Sequence, residues 1–441
     1  MSQLYSQHVR ERQAKAEAAL AAAGFDAMVL QSGAPFTYHA DDQDAPFHTA
    51  PHFAHWVPME GPRHLLLVRP GKRPLLVRVA PDDYWYEQAP LGSPSWARDF
   101  DLVEVKSEEE AWKHVESSTP LARAAYVGDS PATAAKHGIA AKRANPPALI
   151  SRLDWDRSFK TPYEVECLEE ATRMAARGHA AARAAFLAGA SEIEIHQTFV
   201  AAVGCVDEEL PYGSIVALDE KGATLHYQRK RTHRNGKVLL IDSGARHLGY
   251  GSDITRTWTA RDCDETFQEL VRGLDDLQQE LCAIVKPGMP YGDVHHASHV
   301  SVGDLLNELG VITKAGEEAV TLGLTSAFYP HGVGHFLGIQ VHDVSGRQKG
   351  PEGGTVPPPP QHPFLRTTRT IAENQVFTIE PGIYFIEMLL GRLRKSEKGA
   401  FVDWKLVDRL APCGGARIED NVVVTKDGHR NLTRPYVESA S

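Results

Sequence analysis

The chain has 441 residues, a formal net charge of −10, and 42% hydrophobic and 24% charged residues. The acidic balance excludes a binder of the nucleic-acid backbone, which needs Lys and Arg in excess on one face, and the ordinary globular composition excludes a disordered chain. The length exceeds what one core usually organises, so two domains of unequal size are expected.

The opening stretch, MSQLYSQHVRERQAKAEAALAAAG, is charged and amphipathic, and residues 6–23 read as a helix. It lacks the apolar core of a signal peptide, and no later segment reaches the roughly 18–20 apolar residues that span a bilayer. Cys167, Cys205, Cys263, Cys282 and Cys413 are odd in number and scattered, without a C-x-x-C pair, which suits reduced thiols. The expectation is a soluble cytoplasmic chain with no membrane or nucleic-acid partner.

FDAMVLQ, RHLLLVRP and PLLVRVA read as strands punctuated by Gly and Pro, so the first part is α/β. Near residues 149–161 the pattern changes and runs into Thr161-Pro162-Tyr163-Glu164, a capping box with Pro at the first helical position. The division is placed there, giving domains 1–158 and 159–441. The helix that follows carries Val165, Leu168, Thr172, Ala175, Ala182 and Phe186 on one stripe, ends near Gly189, and yields to a second box at Ser191 and Glu194. Beyond it, KVLLID, DITRTWTA, VFTIEPGIYF and RIEDNVVVT read as strands, with helices near 264–285 and 293–309, so the second domain is α+β. KGPEGGTVPPPPQHP, residues 349–363, reads as an ordered surface loop rather than a proline-rich ligand for another domain.

Asp242 ends the apolar strand VLLID, and Asp253 follows a glycine-bearing connection, so a hairpin can set the two carboxylates side by side. Taken alone, each Asp is explained as well by a turn or a helix cap. YPHGVGHFLGIQVHD then places His331, His335 and His342 among glycines, and Glu380 and Glu419 fall in apolar strands where an unpaired carboxylate is costly to bury. Four carboxylates and an imidazole make a hard donor set that suits Mn²⁺, Co²⁺ or Zn²⁺, and such a set can hold two ions roughly 3.5–4 Å apart.

The order Asp242, Asp253, His335, Glu380, Glu419, each in its local sequence, resembles the pita-bread metallopeptidases: prolidases, aminopeptidases P and methionine aminopeptidases. HGVGHFLGIQVHDV brings it nearest the bacterial Xaa-Pro dipeptidases, some of which also hydrolyse organophosphorus esters. The resemblance implies an N-terminal creatinase-like α/β domain that mediates homodimerisation and narrows access, and a C-terminal pita-bread catalytic domain. It implies two Mn²⁺ ions per subunit, with Co²⁺ or Zn²⁺ as substitutes. Asp242 would bind one ion, His335 and Glu380 the other, with Asp253 and Glu419 bridging. Glu380 would also carry the proton to the leaving nitrogen of a dipeptide ending in proline, and His331 and His342 would donate to the tetrahedral oxyanion. Substrate contacts are expected from Tyr212, Leu225, His226, Tyr291, Arg366 and Arg417, with Asp42 reaching the site of a second copy. The rival readings are an aminopeptidase P acting on longer peptides and a binding module that keeps the fold without the catalysis.

His295 and His299 lie four apart in VHHASHV, which is also a zinc-ligand spacing. With no third ligand evident nearby, a solvated helix face is the expectation.

Overall fold

The computed structural model describes residues 1–439. Its contacts divide the chain into two units: Met1–Arg157 with Thr161–Glu166 and Lys349–Gly354, and Ser158–Lys160 with Cys167–Gln348 and the chain from Thr355 onward.

The N-terminal unit opens with helix α1 (Ser2–Ala23), stopped by Gly24 in the left-handed conformation. Five strands follow: β1 (Ala27–Gln31), β2 (Leu65–Val68), β3 (Leu75–Val79), β4 (Asp101–Val105) and β5 (Ala124–Val127). They form one mixed sheet in the order β4-β3-β2-β1-β5, with β1 parallel to β5 and antiparallel to β2. The three strands read from the sequence are its centre. Their apolar runs are buried throughout apart from Arg78, as strands covered on both faces require. Helix α2 (Glu108–Ser118) packs Trp112 and Val115 into the same core, and helix α3 (Pro147–Arg157) occupies the stretch where the sequence pattern changes.

The expected capping box is formed: the Thr161 N–H donates to Glu164 and the Glu164 N–H to the Thr161 hydroxyl, opening helix α4 (Pro162–Leu187). Leu168, Thr172, Ala175, Ala182 and Phe186 on its stripe are buried, and His179 fills the stripe between them, its Nε2 2.9 Å from the Ser243 carbonyl. Helix α5 (Glu192–Val203) starts at the second box, with Ser191 as cap and Glu194 returning to it.

The rest of the C-terminal unit is built around short strands. β6 (Ile215–Leu218), β7 (Val238–Asp242) and β10 (Thr255–Thr259) form a sheet ordered β10-β7-β6, and the small hairpin β8 (Arg246–His247) and β9 (Tyr250–Gly251) lies within the connection from β7 to β10. Helices α6 (Glu265–Ala283) and α7 (Tyr291–Glu308) carry the apolar cluster around Phe267, Leu274, Val302 and Leu306. VFTIEPGIYF does not run as one strand: Pro381 has no N–H to give a ladder, and the segment breaks into β11 (Val376–Ile379) and β12 (Gly382–Tyr384), which join different sheets. RIEDNVVV breaks likewise, into β13 (Gly415–Arg417) and β14 (Asp420–Val424). β12 pairs with β13, while β11 pairs with β14 and β14 with β15 (His429–Asn431). Among the described residues no helix is long and apolar enough to cross a membrane, and the five cysteines form no disulfide with one another.

Candidate metal centre

Strand ends assemble the site. The register that pairs Asp242 with Thr255 holds the end of β7 beside the start of β10, and Asp253 precedes Thr255 by one alternation of the chain. The register that pairs Ile379 with Asp420 makes Glu380 and Glu419 the next opposed positions. Glu419 is tied to the first sheet by its N–H, which donates to the Thr255 carbonyl at 3.1 Å, and by its carboxylate, which accepts from the Thr255 hydroxyl at 2.6 Å. His335 comes from the glycine-bearing segment that lies along β11: Thr378 N–H donates to the His335 carbonyl at 2.9 Å, and Glu380 N–H to the Val333 carbonyl at 2.8 Å. The close approach depends on Gly334, where a Cβ would fall 1.9 Å from the Thr378 carbonyl oxygen.

The five side chains converge. His335 Nδ1 is 3.0 Å from the Phe336 carbonyl, which fixes the proton on Nδ1 and turns Nε2 inward, 3.4 Å from Asp253 and 3.5 Å from Glu380. Asp253, His335 and Glu419 alone bring one ligand atom each within 4.8 Å of one another. Burial, with Asp253 adding to it, raises Asp242 to about 6. Burial likewise raises Glu380 to about 7, and Glu419 is driven well above the carboxylate range by burial and by Asp253 and Glu380. Asp253 is held low against its burial by His335. Crowded buried carboxylates of this kind call for a cation among them. Asp242 Oδ1 is moreover buried without any hydrogen-bond partner, a bare lone pair aimed at the same place. The donor set therefore fits hard divalent ions held by Asp242, Asp253, His335, Glu380 and Glu419.

The surrounding residues differ from expectation in ways that matter. Arg417, expected to read a substrate carboxylate, is only 4% exposed and has every nitrogen engaged: Nη2 donates to Asp242 at 2.7 Å, Nε to the Thr255 hydroxyl at 3.1 Å, and Nη1 to the Tyr384 hydroxyl at 2.9 Å. It lies at the end of β13, before the break, rather than on one strand with Glu419. His331, expected as an oxyanion donor, has Nε2 2.8 Å from the Tyr384 hydroxyl and Nδ1 2.9 Å from the Gly332 carbonyl. Because the Gly332 carbonyl can only accept, Nδ1 carries the proton and Nε2 accepts from Tyr384, so this ring has no N–H left for a ligand. Burial and Arg417 depress it to about 3. Tyr291, expected in the substrate pocket, is wholly buried beside Phe377, its hydroxyl donating to the Thr378 carbonyl at 3.1 Å, so it braces the strand that leads to Glu380.

Tyr212 donates to Asp253 at 2.6 Å. The exposed His342 stands edge-on to His335 with ring centroids 4.4 Å apart, and burial of part of its ring together with His335 lowers it to about 4. Arg366 and His226 are exposed and close enough to His342 to disfavour its charged form, while Leu225 packs against the apolar cluster that contains Tyr384. Asp42 belongs to the N-terminal unit, exposed, with its N–H bound to the Asp41 carboxylate at 2.8 Å. Sequence reading missed Thr255 and Tyr384. The first was available, since it shares the strand face of Asp253 by period 2; nothing in the local sequence marks the second.

Residues 166–426 match the profile of metallopeptidase family M24, and residues 3–155 match that of the Xaa-Pro dipeptidase N-terminal domain. The chain is 39% identical over 439 residues to an Xaa-Pro dipeptidase of Pseudoalteromonas atlantica, covering 98% of each chain. It is 42% identical over 438 residues to one from Xanthomonas campestris pv. campestris strain 8004, covering 99% of this chain and 98% of that one. In fold it is similar to proline aminopeptidase P II from Yersinia pestis, with TM-score 0.73, 20% identity and 99% of each chain covered. It is similar also to an aminopeptidase from Pseudomonas aeruginosa, with TM-score 0.74, 20% identity and 100% and 98% covered. Matched over nearly its whole length, this chain belongs to metallopeptidase family M24 and carries an Xaa-Pro dipeptidase N-terminal domain.

Proposed function

We propose that the protein is a cytoplasmic, metal-dependent dipeptidase that hydrolyses Xaa-Pro dipeptides with two divalent ions, Mn²⁺ for preference, as cofactors. The observation that carries the reading is the convergence of Asp242, Asp253, His335, Glu380 and Glu419 in a chain matched end to end by Xaa-Pro dipeptidases. When bound, such ions supply Lewis acidity and make a water molecule nucleophilic near neutral pH.

The chain's own residues do the rest. Tyr212 and Thr255 each orient one carboxylate of the cluster, so the ligands are set before substrate arrives. Arg417 holds Asp242 and, through the Tyr384 hydroxyl, fixes His331 as a neutral ring. His342 is the histidine left open to donate a hydrogen bond to the oxygen on which negative charge develops. Glu380, whose Oε1 accepts from the Thr378 hydroxyl at 3.3 Å, is placed to pass a proton to the leaving imino nitrogen. With Arg417 committed inside, the exposed Arg366, with His226 as a further N–H donor, is assigned to the proline carboxylate. A homodimer, with Asp42 near the site of a second copy, completes the reading on family resemblance.

Metal-stripped protein refilled with Mn²⁺ should cleave Leu-Pro and leave a Leu-Pro-Xaa tripeptide intact, and Asp253→Asn should abolish the activity. Cleavage of the tripeptide would transfer the protein to the aminopeptidase P reading. Metal uptake without cleavage of either peptide would leave a binding module.

A further inference from the structure

His295 and His299 are not on a solvated face. They are 2% and 1% exposed on α7, and the chain returns through the proline-bearing loop to bring a third ring, His362, against them. The three ring centroids are separated by 4.7, 4.4 and 4.5 Å, and one nitrogen from each lies within 4.8 Å of the others. Among the described residues, both ring nitrogens of His295 and the Nε2 of His299 are buried without a hydrogen-bond partner, an arrangement a fold rarely tolerates unless a ligand satisfies it. His299 Nδ1 is 2.9 Å from the Thr325 hydroxyl, an outer contact that orients the ring and leaves Nε2 free to ligate.

We propose that His295, His299 and His362 form a second metal site, separate from the carboxylate centre, that takes a borderline-soft divalent ion such as Zn²⁺. The donor sets divide the two sites by chemistry: three neutral imidazoles and no carboxylate select against Mg²⁺, Ca²⁺ and Mn²⁺ and for Zn²⁺, Ni²⁺ or Co²⁺. Burial and mutual proximity keep His295 and His299 unprotonated at neutral pH, which is the ligating form. Tetrahedral zinc with Zn–N bonds near 2.0–2.1 Å needs nitrogens roughly 3.3 Å apart. Contraction from the observed spacing falls to His362, which is the half-exposed member, lies outside regular secondary structure and leaves a fourth position for water. Tyr329 separates this group from the first site, its ring 4.7 Å from His299 and 4.9 Å from His331.

The test is zinc stoichiometry. The full-length chain, stripped with chelator, reloaded with excess Zn²⁺ and passed through gel filtration, is compared with His299→Gln and His362→Gln by mass spectrometry of the metal. Each variant should retain one equivalent fewer than the parent, whereas Glu419→Gln should lose zinc from the carboxylate centre and still show three-imidazole coordination by X-ray absorption. Equal zinc content in the parent and His362→Gln would overturn the proposal. If His299→Gln fails to fold, His362→Gln decides the matter by itself, because its loop position carries little of the core.

Discussion

Tyr384 joins two residues whose roles the sequence misassigns. Its hydroxyl accepts from Arg417 and donates to His331, so one oxygen keeps a buried guanidinium and a buried imidazole satisfied. Tyr384→Phe keeps the ring packing and removes that oxygen, leaving both partners short of a hydrogen bond. The expected costs are about 1–3 kcal/mol in urea denaturation and roughly a tenfold fall in kcat. His342→Ala should act differently, lowering kcat about a hundredfold with KM nearly unchanged if it donates to the developing oxyanion. A rise confined to KM would instead place His342 in substrate binding. In the N-terminal unit, His64 is neutral for a structural reason: its Nδ1 accepts from the Val79 N–H at 3.1 Å, its Nε2 is 3.2 Å from the Glu60 carbonyl, and burial lowers it to about 4. The unfolded chain takes up the proton near 6.5. Stability from this ring is therefore complete above about pH 6.5 and is lost as pH falls toward 4, by roughly 3 kcal/mol at most. The urea midpoint of the parent relative to that of His64→Gln should fall as pH drops through that window, and a pH-independent difference would remove His64 as the cause.

At the scale of elements, the approach of the His335 segment to β11 rests on one missing methyl. Gly334→Ala would press a Cβ into the Thr378 carbonyl and beside the Tyr291 hydroxyl, both firmly placed. The segment must then lift from the strand and carry His335 away from Glu380. Metal affinity should fall at least tenfold and stability by about 3 kcal/mol or more, read by metal titration and calorimetry. Unchanged affinity would mean that His335 finds its place without this contact. Much of the element order was legible because the signals were local: two capping boxes, the apolar runs of the central strands, and an Asp at either side of a hairpin. The breaks at Pro381 and before Asp420 were less so, since an apolar run looks continuous even where the chain changes sheets. The five expected ligands were set in order by family resemblance, helped by carboxylates that stand out in apolar strands. The engagement of Arg417 with Asp242 and the return of His362 to α7 could not be read, because both depend on contacts between segments distant in sequence.

For the molecule as a whole, the carboxylate cluster makes the catalytic unit's stability conditional on a cation. A ligand that binds the folded state alone stabilises it by about 2.7 kcal/mol when present at a hundred times its Kd. Chelator should accordingly lower the thermal midpoint of the metal-loaded protein by several degrees at pH 7, and Mn²⁺ should restore it. An unchanged midpoint would mean that the carboxylates are satisfied by protons alone. The spacing of the ligands along the chain has a further consequence during synthesis. Asp242 and Glu419 stand at opposite ends of the ligand series, and Glu419 is locked to Thr255 across an isolated bridge. A nascent chain can complete its N-terminal sheet while still on the ribosome, yet it cannot assemble the cluster until β14 has emerged. Termination before that strand should therefore yield an inert product, and peptide hydrolysis should await the emergence of Glu419.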